Sequence, residues 1–147
     1  MQHKGAAYAL LRITLGLILT FYGIGKVLNG PSAFANGLVT QFSKTFLPAA
    51  AVRLFGLVLP WTELIFGVLL VFGAFTVATL ALTALQFMAL TLGMVLMQQT
   101  QVVAQNLLYA LVTFFLLFYA EYNWAALDLA FRRRVAIETE VRARRVA

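Results

Sequence analysis

Long apolar runs separated by short polar ones dominate this chain. A helix needs ~20 mostly apolar residues to cross ~30 Å of hydrocarbon, and four stretches are long enough: 6–28, 52–75, 77–97 and 102–124. Between the second and third lie only Gly73, Ala74, Phe75 and Thr76, so that pair forms an antiparallel hairpin with Gly73 as the helix terminator. Gln98, Gln99, Thr100 and Gln101 make a similar polar turn between the third and fourth. The pattern predicts an all-α fold, an integral membrane four-helix bundle.

The first connection, 29–51, is longer. Asn29, Gly30, Pro31 and Ser32 break the first helix, and Ser32 is placed to cap a new one. Phe34, Leu38, Phe42 and Phe46 then recur every four residues, with Asn36, Gln41, Ser43 and Lys44 between them. Two readings fit this spacing: a short amphipathic helix lying in the interface, or a loop folded over the mouth of the bundle.

Composition narrows the class. With 63% hydrophobic residues, 11% charged and a mean hydropathy of +0.91, the chain is too apolar for an ordinary soluble domain or for disorder. It has no cysteine, which excludes a disulfide scaffold, a thiolate metal site, an iron–sulfur cluster and a cysteine nucleophile. Its single histidine is His3, so paired imidazoles cannot build a haem or metal centre within this chain. No covalent or metal cofactor is expected.

The formal charge of +6 is unevenly placed: Arg132, Arg133, Arg134, Arg142, Arg144 and Arg145 all follow the last apolar run. A basic tail in that position fits bilayer orientation and anionic head groups better than nucleic acid. An even number of spans puts Lys4 and this tail on one side, opposite Lys44 and Arg53, and the positive-inside rule makes the tail side cytoplasmic. The expected location is therefore the inner (cytoplasmic) membrane. No secretory cleavage motif is apparent, and the N-terminus is read as retained. The expected division is a transmembrane domain over 1–131 and a basic cytoplasmic tail over 132–147. In the tail, Glu138 with Arg142 and Glu140 with Arg144 have favourable helical spacing, fitting a solvated charged end or a docking handle.

Each span carries one polar or small-residue stripe at helical spacing. These are Arg12, Gly16, Thr20, Gly23 and Lys26 on the first, and Gly56, Pro60, Glu63 and Gly67 on the second. The third has Thr79, Thr83, Gln86 and Gly93; the fourth has Asn106, Tyr109 and Thr113. Small residues permit close helix approach and polar ones bond across it, so four inward stripes make a polar seam.

Glu63 stands out because it lies mid-span and its side chain is too short to reach the interface. It must be paired, hydrated or protonated. Arg12 and Lys26, about 21 Å apart along their helix, are both candidate partners, although each could instead snorkel to head-group level. The pair could be a structural ion pair that fixes helix register or a ligand or proton site. Pro60 frees the Gly56 carbonyl and can kink the helix; Trp61 suits packing or lipid contact. Gln86 and Asn106 suit helix–helix hydrogen bonds. Tyr119, Glu121, Tyr122, Trp124 and Asp128 read as boundary residues. The candidate site is thus Glu63, Arg12, Lys26, Gln86, Asn106 and Tyr109.

Arg12, the run Phe21, Tyr22, Gly23, Ile24, Gly25, Lys26, and the Glu63–Gly67–Leu70–Gly73 spacing resemble the first two helices of the DoxX family. This resemblance covers roughly 7–127 and implies small four-helix membrane proteins, several linked to redox systems such as thiosulfate:quinone oxidoreductase. The expected role is an accessory or anchoring subunit of a membrane redox or energy-converting complex, with other membrane subunits and the lipid bilayer as partners. One alternative is a quinone-interacting oxidoreductase subunit in which Glu63 or Tyr22 relays a proton. A carrier of a small anion or lipid is the other. A quinone or lipid bound at the bundle surface is the small-molecule ligand these readings allow.

Overall fold

The computed structural model describes residues 2–123. The basic tail, with its paired Glu and Arg residues, lies outside them, as do Trp124 and Asp128. Helices α1 (Gln2–Leu28), α2 (Pro31–Gln41), α3 (Ala49–Phe72), α4 (Thr76–Leu96) and α5 (Thr100–Phe118) follow one another, with single 3-10 turns at Phe42–Lys44 and Ala120–Tyr122. No strand occurs among the described residues. Four of the helices, α1, α3, α4 and α5, are long and apolar enough to cross a membrane. Leu82, Leu85 and Met88 on α4, and Leu107, Phe114 and Phe118 on α5, are turned outward. Such an apolar exterior is unstable in water and appropriate in lipid, and the protein is a multi-pass four-helix membrane bundle.

Turn chemistry sets the helix ends. Gly73 adopts φ 68°, and the amides of Gly73 and Ala74 donate to the carbonyls of Leu70 (3.3 Å) and Leu69 (3.0 Å), closing α3 in a Schellman arrangement. Helix α2 begins differently from the sequence expectation. Gly30, at φ 92°, occupies the cap position, Pro31 fills the first turn, and Ser32 makes no capping bond. Proline has no amide hydrogen to satisfy and its φ is already helical, so a side-chain cap is not required. The last span is shorter than expected: α5 stops at Phe118 rather than near residue 124, and a 3-10 turn follows.

The amphipathic segment is a helix packed on the bundle. Ala35 and Leu38 are buried, and Ala35 lies against Gly56 of α3, where a Cβ would come within 2.8 Å of the Ala35 Cα. The stripe breaks after Phe42. That ring is buried and reaches Gly93 of α4, whereas Phe46 lies beyond the helix and is 81% exposed.

Helices α1 and α3 pack most closely, α2 lies on α3, and α4 pairs with α5. Leu15 and Leu19 of α1, Leu70 of α3, Leu80 and Phe87 of α4, and Leu116 of α5 form the shared core. Contacts between α1 and α5, and between α3 and α4, are sparse, and this leaves room for internal spaces.

Candidate functional site

The site is built from the α1–α3 contact outward. A Cβ on Gly23 would sit 2.6 Å from the Leu64 backbone nitrogen, and one on Gly16 would sit 2.8 Å from that of Val71. Glycine at these positions lets the two backbones touch. Thr20, between them, donates its hydroxyl to the Gly16 carbonyl at 2.7 Å and lies against Gly67. The result is an antiparallel register with Gly23 opposite Leu64. Lys26 follows three residues later, and a helical side chain leans toward its own N-terminus, which brings the ammonium back to Glu63.

There the Lys26 ammonium donates to Glu63 Oε1 at 2.7 Å and Oε2 at 2.5 Å. The Glu63 side chain is 5% exposed and that of Lys26 24%. Two rings flank the cation: Phe34 of α2, 5.1 Å from Nζ to its centroid, and Tyr22 of α1 at 5.9 Å. The charge therefore sits among α1, α2 and α3, balanced by one carboxylate and two aromatic faces. Pro60 lies buried inside α3, one turn before Glu63, without ending the helix.

Arg12 does not join this pair. It lies four residues before Gly16, and Gly16 is opposite Val71, so Arg12 belongs at the level of the α3–α4 hairpin, about 21 Å along α1 from Lys26. It is 1% exposed and makes interactions of its own there. The same end of the bundle is tied by the Asn123 amide donating to the Thr76 hydroxyl at 2.9 Å, and by Lys4 over the Tyr122 ring at 5.4 Å.

Asn106 and Tyr109 of α5 do come to the pair. Together with Tyr22, Lys26, Glu63 and Gln105 they line a cavity of ≈ 230 Å³ between the α1–α3 and α4–α5 pairs. Tyr109 stacks on Phe87 with ring centroids 5.4 Å apart and planes at 24°, and its hydroxyl accepts from the Gln105 amide at 3.3 Å. The expected helix–helix hydrogen bonds of Gln86 and Asn106 are not formed among the described residues. Gln86 buries both amide atoms without a partner, and Asn106 faces the cavity instead.

Phe34, Phe87 and Gln105 are site residues that sequence reasoning missed. Gln105 carried a usable signal, since it is one turn from Tyr109 on the same helix. Phe34 carried none, because only the folding of α2 onto α3 brings it to Lys26.

Fold and site together define a small integral membrane protein with a charge-matched Lys–Glu centre between its helices. Within that class, the chain belongs to the family described as Methylamine utilisation protein MauE, which it matches over residues 4–105. That match overturns the DoxX resemblance. The Gly23–Lys26 and Glu63–Gly67 spacings are what two tightly crossed membrane helices sharing one ion pair require, so they do not distinguish one such family from another. No curated protein and no solved structure matches the chain.

Proposed function

We propose that this protein is a membrane-embedded accessory subunit of a methylamine-utilising redox system, anchoring or helping to assemble its amine-oxidising components. The family description supplies the pathway. The accessory role is carried by one observation: both oxygens of the only mid-span carboxylate in the described bundle are held by Lys26. The two side chains at the centre are paired with each other, and most of what the bundle offers outward is apolar helix surface. Termini on the cytoplasmic side of the inner membrane fit this role. Lys4 shares an end of the bundle with the C-terminal end of α5, and the arginines come after that point in the sequence.

Deletion in a methylamine-oxidising host is expected to abolish amine oxidation and to leave the oxidising enzyme unassembled or detached from membranes. The purified chain in proteoliposomes is expected to turn over no amine. Amine turnover by the chain alone, or normal assembly without it, would overturn the accessory reading.

A further inference from the structure

A second and larger space lies beside that cavity. Its volume is ≈ 640 Å³, within the usual range for ligand pockets, and it lies among α2, the Phe42–Lys44 turn, α3 and α4. Its walls are almost wholly apolar, with Leu38, Phe42, Phe55 and Leu59 on one side and Ala89 and Leu92 on the other. The Phe42 ring lies against Gly93 of α4, and both residues line the groove. Exposed Phe46 and Leu92 stand at its mouth. Lys26, Leu90 and Met94 line both this groove and the ≈ 230 Å³ cavity, so the two spaces are neighbours across these three residues.

We propose that the two neighbouring spaces bind a lipoquinone, with the tail in the α2–α3–α4 groove and the ring in the cavity beside Lys26, Asn106 and Tyr109. Three properties of the cavity select this chemistry over other amphiphiles. The first is charge. Lys26 and Glu63 cancel, so a carboxylate or phosphate head would bring an unmatched negative charge into the bundle or have to break the pair. A neutral head carries no such cost.

Hydrogen bonding is the second. An ammonium has three N–H groups, and Glu63 takes two of them while committing both of its oxygens. Tyr109 accepts from Gln105, and its hydroxyl also lies beside that of Tyr22. With the Asn106 amide, the lining places N–H donors in the cavity, and these suit a head that carries carbonyl oxygens. Shape is the third. Phe87 and Tyr109, stacked on each other, both line the cavity, and aromatic lining favours contact with a planar conjugated ring. The proposal concerns binding alone, and it does not rest on the accessory reading; either can fail without the other.

The test uses the full chain in phosphatidylcholine nanodiscs, titrated calorimetrically with a decyl-tailed dimethoxy-methyl-benzoquinone, with protein-free nanodiscs as the partition blank. Saturable binding at one site per chain is expected. Ala89→Trp fills the groove from an exposed position and should weaken binding at least tenfold while leaving the thermal midpoint unchanged. Asn106→Leu removes a donor at the head and should weaken it severalfold. Decanoate, with a comparable tail and a carboxylate head, should not displace the quinone. Absence of saturable binding, insensitivity to Ala89→Trp, or displacement by decanoate at similar concentration would each overturn the proposal.

Discussion

Glu63 and Lys26 hold each other between α1 and α3, the carboxylate almost wholly buried and the ammonium partly exposed. Taking one partner away leaves a charge without a match, which costs about 3–5 kcal/mol for a buried pair. Here the lower end applies, because the Lys26 side chain keeps 24% exposure. Lys26→Met is therefore expected to destabilise the bundle by about 3 kcal/mol, and Glu63→Leu by a similar amount. The double variant Lys26→Met/Glu63→Leu should recover most of that loss, since an apolar pair of similar volume removes both desolvation terms. A double-mutant cycle of unfolding in detergent checks this, and additive losses would show that the pair contributes no coupling. That Glu63 needs a partner can be read from its place in an apolar run. Which cation it takes cannot: Arg12 and Lys26 share a face of α1, and only the register against α3 decides between them.

At the scale of elements, that register is set by glycine. Gly23 meets the Leu64 backbone directly, whereas a Cβ on Gly25, two residues away in the same helix, would have nothing within 4 Å. The two positions therefore predict opposite outcomes. Gly23→Ala forces α1 and α3 apart and should cost roughly 2–3 kcal/mol by overpacking. Gly25→Ala adds a methyl in open space and should be neutral or stabilising by up to about 1 kcal/mol from helix propensity. Thermal unfolding of the two variants side by side is the measurement; equal shifts would contradict the close contact. The spans themselves were legible because ~20 apolar residues in a row have few other uses, and Gly73 because a helix end needs a residue tolerant of positive φ. The end of α5 was not, because Tyr119, Ala120, Glu121 and Tyr122 include no glycine or proline to stop a helix. Nor was the burial of α2: its four-residue spacing describes a face, and the partner of that face is Gly56, supplied by a helix formed later in the chain.

For the molecule as a whole, the connectivity makes a claim about sidedness that does not depend on the site. Four crossings place His3 and the end of α5 on one side, and the α2 connection with the Gln98–Gln99 turn on the other. Charge gives the direction: Lys4 and six arginines belong to the first side by sequence, against Lys44 and Arg53 on the second. Since lysines and arginines near span ends tend to be retained in the cytoplasm, the first side is expected to be the cytoplasmic one. The chain contains no cysteine, so single-cysteine variants carry no background. Ser43, Gln99 and His3 are all exposed and suited to substitution. In spheroplasts, a membrane-impermeant maleimide is expected to label Ser43→Cys and Gln99→Cys directly, and His3→Cys only after permeabilisation. The reverse pattern would invert the orientation while keeping the bundle. Labelling of Ser43→Cys and Gln99→Cys from opposite sides would be more damaging. It would mean that α3 and α4 do not form a membrane hairpin, and the common depth of Glu63, Phe87 and Tyr109 would be lost with it.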